Sequence, residues 1–226
     1  MSVFVAVDTP DLARAEALAR AVAPHVGPIG GGLKLGLEFF MANGPDGVRR
    51  MLVHGLPVFL DVKLHDIGNT VAGAMRALAP LRVAVVNVHA AIGEAAMRAA
   101  RDAMPATTAI IAVTVLTSFD AADLHAIGVP AAVPEQVLHL AAMTRSAGLQ
   151  GVVCAGSEAA AVRAAWPDAV IAVPGLRAEG DAVGDQKRVM TPRAARDAGA
   201  SILVVGRSIT AAPDPAAAAA AIAATL

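Results

Sequence analysis

Short runs of β-branched apolar residues alternate eight times with longer alanine-rich runs, and this alternation constrains the fold more than any other feature of the chain. Apolar residues fill both faces of the short runs, as buried parallel strands require, and the longer runs have helical periodicity. Eight strand–helix units predict a single (β/α)8 TIM barrel, forming one domain over residues 1–226. The predicted strands are 3–7, 33–35, 58–62, 83–88, 109–115, 151–154, 169–173 and 202–205. The predicted helices are 11–23, a stretch ending at 54, 70–78, 94–103, 134–146, 158–165, 192–198 and a last helix from 215.

The composition excludes several classes of protein. With 56% hydrophobic and 16% charged residues, the 226-residue chain is too apolar to remain disordered. A formal net charge of −1 gives no basic excess with which to bind a polyanion. One cysteine, Cys154, excludes a disulfide framework and a cysteine-based zinc site. Aromatic residues make up 3%, which disfavours binding of bases by stacking.

The mean hydropathy of +0.60 raises the question of a membrane segment. The longest stretch without Asp, Glu, Lys, Arg or His covers residues 103–119, shorter than the ~20 residues of a spanning helix, and it contains Pro105. The first residues lead to Asp8 without the basic region of a signal peptide. We therefore expect a cytoplasmic protein.

Polar residues follow most of the predicted strands. In a (β/α)8 barrel the chemistry takes place at the carboxyl ends of the strands, so these residues are the candidates for function. The connection from Pro174 to Met190 is the longest, and long loops in compact domains often cover a binding site. The strand-end residues are Asp8, Lys34, Asp61, Lys63, Asn87, His89, Thr114, Thr117, Gly206 and Arg207.

The third strand ends in the charged segment Asp-Val-Lys-Leu-His-Asp, residues 61–66. Because side chains alternate along a strand, Asp61 and Lys63 are predicted to share one face at the barrel mouth. Lys34 ends the neighbouring strand and Asp66 lies just past the third, so a Lys-Asp-Lys-Asp array can form. A simple salt bridge closing the barrel mouth is the alternative, but a cluster of this size is a weak way to stabilise a fold and a common mark of function.

The neighbours of Lys63 determine what it can do. Negative charge nearby favours the ammonium form of an amine, whereas a Schiff-base lysine must be neutral. Lys63 is therefore predicted to be a fixed ammonium that donates a proton or stabilises a developing anion. His65 alternates to the opposite face and is predicted to be structural.

These motifs resemble the orotidine 5′-phosphate decarboxylase family, and the resemblance covers nearly the whole chain. Its centre is Asp61-x-Lys63-x-x-Asp66 followed by Ile-Gly-Asn-Thr. Five further segments match in order at the other strand ends: 7–8, 34–36, 115–118, 174–177 with 185–188, and 205–210.

The resemblance implies a carboxy-lyase that converts orotidine 5′-phosphate to UMP and CO₂ without a cofactor or metal, the last step of de novo UMP synthesis. It implies that Lys63 protonates C6 of the pyrimidine while Asp61 lies near the departing carboxylate. Asp8 and Lys34 would hold the ribose hydroxyls, with Lys34 also in the charge array. The remaining implied contacts are Thr117 and Ser118 at the base, Arg177 and Gln186 in the closing loop, and Gly206 with Arg207 at the 5′-phosphate.

The resemblance also implies a homodimer with shared sites, in which Asp66, Ile67 and Thr70 reach the active site of the other subunit. No nucleic acid or membrane partner is implied. The sequence departs from the family pattern at Gly68, where proline is usual, and at Leu176, where isoleucine is usual. The first change loosens the turn before Thr70, and the second is nearly isosteric.

Three other functions compete with this interpretation. Related barrels that act on sugar phosphates with Mg²⁺ carry an added acidic ligand beside the second strand, and residues 31–34 contain none. A Schiff-base lyase would use Lys63 as a nucleophile. A barrel kept only for binding could retain Arg207 and lose Lys63, so the intact array disfavours it.

Overall fold

Eight parallel strands close into a barrel in chain order, as the alternating pattern predicted. The computed structural model describes residues 1–177 and 190–226. Each strand pairs with the next, and β8 pairs with β1 to close the sheet. The strands are β1 (Ser2–Ala6), β2 (Gly32–Leu35), β3 (Val58–Leu64), β4 (Val85–His89), β5 (Ala109–Val113), β6 (Gly151–Val153), β7 (Val170–Leu176) and β8 (Ile202–Val205).

Helices cover the outside of the barrel, and several begin at side chains that cap them. The carboxylate of Asp11 accepts from the N–H groups of Ala13 and Arg14, and Asp214 caps the last helix in the same way. The helices are α1 (Leu12–Val26), α2 (Leu37–Leu52), α3 (Gly68–Leu78), α4 (Glu94–Asp102), α5 (Ala121–Ala126), α6 (Val133–Ser146), α7 (Gly156–Ala165), α8 (Pro192–Asp197), α9 (Arg207–Thr210) and α10 (Pro215–Ala224).

Apolar side chains form two buried layers. The larger one lies between the strands and the helices, and the smaller one fills the inside of the barrel. Phe4 and Phe59 meet edge to face in the inner layer, with ring centroids 6.4 Å apart. The barrel interior is therefore packed beneath its mouth, and the polar strand ends stand above an apolar floor.

Two strands run further than their apolar patterns predict. β3 continues from the predicted end at residue 62 to Leu64, and β7 continues from residue 173 to Leu176. Both extensions contain a register shift against a neighbouring strand. A pattern of buried apolar residues cannot reveal these strand ends, because charged residues, proline and glycine occupy them. Helix α5 was also missed, since its six residues are too few for a periodic signal.

No helix among residues 1–177 and 190–226 is both long enough and apolar enough to cross a bilayer.

Candidate active site

Four charged side chains meet at the carboxyl ends of the first three strands. Nζ of Lys34 lies 2.8 Å from Oδ1 of Asp8 and 3.3 Å from Oδ2 of Asp61. Nζ of Lys63 lies 2.7 Å from Oδ1 of Asp61. Asp61 therefore lies between two ammonium groups, and charges of alternating sign run from β1 to β3. The contact predicted between Asp61 and Lys63 is confirmed.

Glycine leaves room for this network. A Cβ atom at Gly36 would lie 2.5 Å from Oδ1 of Asp8 and 2.9 Å from Nζ of Lys34, so any side chain there would displace the pair. The Lys-Leu-Gly sequence at the end of β2 thus supplies both the amine and the space around it.

The central charges are buried, and their neighbours keep them ionised. Burial by itself lowers the pKa of Lys34, but the carboxylates of Asp61 and Asp8 outweigh this effect and raise the pKa above its usual value. Burial likewise favours the neutral form of Asp61, yet Lys34, Lys63 and a hydrogen bond from Asn87 hold its pKa below the usual range. Removing one charge would leave an uncompensated neighbour in a region of low polarity.

The backbone of β3 is irregular where it carries this network. Lys63 has φ of 49°, in the left-handed region that side chains with a Cβ disfavour. Leu60 pairs with Val86 and Leu64 pairs with Val88, so three residues of β3 lie opposite the single residue Asn87 of β4. Regular alternation, on which the face predicted for His65 depended, therefore ends at Lys63.

A cavity of about 550 Å³ opens beside the charged network. Its floor is apolar, and its wall carries the charged groups of β1–β3 on one side and two arginines on the other. Strand ends from most of the barrel contribute to it, as expected of a barrel active site. Its lining residues are Ala6, Asp8, Lys34, Phe59, Asp61, Lys63, Thr117, Val153, Pro174, Gly175, Arg177, Val204, Gly206, Arg207 and Thr210.

Two arginines line the cavity at the ends of β7 and β8, strands that are not neighbours of β3 in the barrel. Arg177 follows β7 and is almost fully buried, and its Nη1 donates to the carbonyl oxygen of Leu176 at 2.9 Å. Arg207 opens the short helix α9 directly after β8 and Gly206. A planar guanidinium group suits bidentate contact with a phosphate, and the end of the eighth strand is a common phosphate site in such barrels.

Other residues singled out from the sequence do not line this cavity. Within the described residues, the lining does not include Asp66, Ile67, Thr70 or Ser118. These four side chains are exposed, and Ile67 is 72% exposed. Oδ1 of Asp66 accepts the N–H of Ile67 at 2.7 Å. Gln186 lies outside the described residues.

Two histidines flank the network. The rings of His65 and His89 lie 5.2 Å apart, at the ends of β3 and β4. Partial burial, with electrostatic repulsion from His65 and Lys63, lowers the pKa of His89 to about 4. His89 is therefore neutral at neutral pH. No group of three or more His, Cys, Asp or Glu side chains suited to a metal ion occurs in the described parts of the chain.

Sequence reasoning placed Asn87 at a strand end but gave it no function. Its side chain is fully buried and contacts both Asp61 and the backbone of Lys63. A polar amide within an otherwise apolar strand was the signal. Thr210 and Gly175 also line the cavity. The matching segments 205–210 and 174–177 contain them, but sequence reasoning gave neither residue a function.

A closed (β/α)8 barrel with buried charges and a cavity at its strand ends has the architecture of a barrel enzyme. The chain belongs to the orotidine 5′-phosphate decarboxylase / HUMPS family, whose model matches residues 1–222. It is 53% identical over 224 residues to orotidine 5′-phosphate decarboxylase of Sphingopyxis alaskensis, covering 99% of this chain and 98% of the relative. The corresponding protein of Novosphingobium aromaticivorans is 52% identical at the same coverage.

Solved structures agree with this assignment. The crystal structure of orotidine 5′-phosphate decarboxylase from Lactobacillus acidophilus superimposes with a TM-score of 0.83 at 33% identity, covering 99% of this chain and 98% of that one. An uncharacterized conserved protein from Geobacillus kaustophilus superimposes with a TM-score of 0.81 at 34% identity, covering 99% of both chains.

Proposed function

We propose that this chain decarboxylates orotidine 5′-phosphate to UMP and CO₂, completing de novo synthesis of UMP, and that it does so without a cofactor. The observation that carries the proposal is the ammonium group of Lys63, 2.7 Å from Asp61, beside a cavity that Arg207 at the end of another strand also lines. An enzyme for this substrate needs a cation at the reacting carbon and an anion site at a distance from it.

The reaction breaks the bond between C6 and the carboxylate carbon, and the electron pair stays on C6. No atom of the ring accepts these electrons by conjugation, so the developing charge must be stabilised electrostatically. Lys63 stabilises it as an ammonium ion and transfers one proton to C6, which gives UMP and a neutral amine that regains a proton from water. Asp61 holds the ammonium in place and lies near the departing carboxylate.

The remaining residues bind parts of the substrate that do not react. Asp8 and Lys34 bind the ribose hydroxyls, and Thr117 and Ser118 lie at the base. Gly206 and Arg207 bind the 5′-phosphate, while Arg177 and Gln186 act from the loop after β7. Binding energy gained at the phosphate supports the chemical step when it fixes the reacting carbon against Lys63.

The active enzyme is a homodimer in which Asp66, Ile67 and Thr70 reach the site of the other subunit. The exposed segment at the start of α3 supports this arrangement, because a 72% exposed isoleucine next to a carboxylate is well suited to contact with a second copy. A carboxylate from the partner would add a negative charge beside Lys63.

The test is the loss of substrate absorbance after orotidine 5′-phosphate is added to enzyme treated with EDTA. We expect turnover by the parent chain and a fall of at least about 10³-fold in Lys63→Ala, since both proton donor and stabilising charge are lost. Binding of UMP by the variant shows that its site is intact.

Three outcomes would contradict the proposal. Activity abolished by EDTA and restored by Mg²⁺ would indicate the metal-dependent chemistry of related barrels. Borohydride trapping of substrate on Lys63 would indicate a Schiff base. Binding of UMP with no turnover by the parent chain would indicate a binding protein.

A further inference from the structure

We propose that Asn87 is a positioning residue that fixes the ammonium group of Lys63 from two directions at once. The activity measurements that test this inference rest on the proposed function. The side chain of Asn87 is fully buried in β4. Its Nδ2 donates to Oδ1 of Asp61 at 2.7 Å, and its Oδ1 accepts the backbone N–H of Lys63 at 2.8 Å.

The contact between Asn87 and the backbone N–H of Lys63 occupies the gap where the ladder between β3 and β4 is interrupted. Residues 61–63 lie opposite Asn87 alone, so regular backbone pairing is lost there. The side-chain oxygen of Asn87 satisfies the N–H of Lys63 in its place. A partly buried donor left without a partner would destabilise the strand, so the Asn87 amide makes this interruption tolerable.

The same contact holds a disfavoured backbone. Lys63 has φ of 49°, and such a conformation persists at a functional site only when its surroundings determine it. The bond from its N–H to Asn87 ties the left-handed residue to the rigid barrel wall. The direction in which the lysine side chain leaves the backbone is thereby set.

The contact between Asn87 and Asp61 fixes the carboxylate that is the counter-ion of Lys63. Oδ1 of Asp61 accepts hydrogen bonds from Nζ of Lys63 and from Nδ2 of Asn87, each at 2.7 Å. The amide therefore holds the carboxylate oxygen against which the ammonium rests. The side chain of Asn87 thus fixes the backbone of Lys63 directly and its ammonium group through Asp61.

An amide meets these requirements at neutral pH, because it carries a donor and an acceptor on two separate atoms. Asp61 can only accept and the backbone N–H of Lys63 can only donate, which also determines which end of the Asn87 amide faces each. A carboxylate of the same shape would accept from Lys63 but repel Asp61 unless it carried a proton. An alanine would offer neither group.

The experiment compares Asn87→Ala and Asn87→Asp with the parent enzyme and with Thr108→Val. Thr108 is the matched control because its buried hydroxyl donates to the carbonyl oxygen of Val83 at 2.8 Å, just before the start of β5 and away from the carboxyl ends of the strands. We expect kcat for orotidine 5′-phosphate to fall about 100-fold in both Asn87 variants, as misplacement of a reacting group by ~1 Å does. KM and the Kd of UMP should stay within about threefold, since the Asn87 amide lies outside the cavity lining.

The pH profile separates positioning from simple destabilisation. As the pH is lowered from about 8 to about 5, kcat of Asn87→Asp should rise relative to Asn87→Ala, because a proton shared between two carboxyl groups restores a donor to Asp61. The titrating and charged neighbours Lys34, Asp61, Lys63, His65 and His89 are present in both variants, so the ratio cancels their contribution. A flat ratio would contradict the inference.

Hydrogen exchange supplies a readout that needs no turnover. Amides of residues 61–66 should exchange at least about tenfold faster in Asn87→Ala than in the parent or in Thr108→Val. Unchanged exchange, kcat within about threefold of the parent, or an equal loss of kcat in Thr108→Val would overturn the inference. A parent enzyme without decarboxylase activity would overturn the proposed function instead, and exchange would still decide the position of Lys63.

Discussion

Lys63 combines a charge, a hydrogen-bonded N–H and a disfavoured backbone conformation in one residue. Its φ of 49° would suit glycine, yet the proposed chemistry requires an amine at this position. Backbone strain of this kind is common at functional sites, where the surrounding structure maintains it. The residue proposed to protonate the substrate is therefore expected to be unfavourable for stability.

This strain can be measured by two substitutions that both remove the amine. Lys63→Gly should be more stable than Lys63→Ala by about 1 kcal/mol, because glycine adopts positive φ without a Cβ clash. The loss of the ion pair is common to both variants and cancels in the comparison. Urea unfolding measures the difference.

Lys34 provides the control, since it lies in the regularly paired strand β2 and its φ is not positive. There Lys34→Gly should be the less stable variant, by about 0.5–1 kcal/mol relative to Lys34→Ala. If the glycine variant were less stable than the alanine variant at position 63 as well as at position 34, the backbone at Lys63 would not be strained.

At the scale of elements, helix α3 begins at an unusual glycine. Gly68 is the first residue of the helix and follows Ile67, whose φ of −62° and ψ of 154° suit a residue before proline. A Cβ at Gly68 would lie 3.4 Å from Cα of Ala96, an ordinary contact. Proline at the first helical position forfeits no intrahelical hydrogen bond.

Gly68→Pro should therefore raise the free energy of unfolding by about 0.4–1 kcal/mol, since it restricts the unfolded chain more than the folded one. Denaturant unfolding checks the gain. Gly93→Pro is the contrasting variant, because Gly93 precedes α4 with φ of 84°, which proline cannot adopt. Loss of stability in both variants would mean that the start of α3 does not fit proline.

At the scale of the whole molecule, the described chain brings most of the proposed site together but leaves Asp66, Ile67 and Thr70 exposed outside the cavity. The barrel places the charged ends of β1, β2 and β3 beside one another, whereas these three residues are proposed to reach the site of a second copy. The proposed dimer divides each site between two chains. Hybrid dimers test this division directly.

Co-expression of Lys63→Ala with Asp66→Asn should restore about a quarter of the parent activity. Each variant alone is expected to be nearly inactive, but half of the sites in a hybrid dimer combine an intact Lys63 with an intact Asp66, and random pairing makes about half of the dimers hybrid. The decarboxylation rate per total protein is the measurement.

Lys63→Ala co-expressed with Lys34→Ala is the matched control. Both residues lie in the same chain's half of the site, so neither site of that hybrid is complete and activity should stay low. Equal recovery in the two mixtures, or none with Asp66→Asn, would contradict a shared site.

The sequence alone determined the barrel and the identity of its charged residues. Eight apolar runs separated by helical ones specify a covered parallel sheet, because each run must bury both of its faces. Polar residues at the ends of those runs mark the site, since burying them elsewhere would be too costly. This reasoning, based on the repeat of two residues in strands and of about 3.6 in helices, identified Asp8, Lys34, Asp61 and Lys63.

Only the tertiary structure decided how Lys63 is held. Its left-handed backbone, the interrupted pairing of β3 with β4, and the two contacts of Asn87 arise from the closure of the barrel, which brings residues 24 and 26 positions apart into hydrogen-bond distance. A local pattern carries no information about such distant pairs. Alternation along β3 predicts which residues are neighbours, and the cross-strand amide determines where the ammonium group lies.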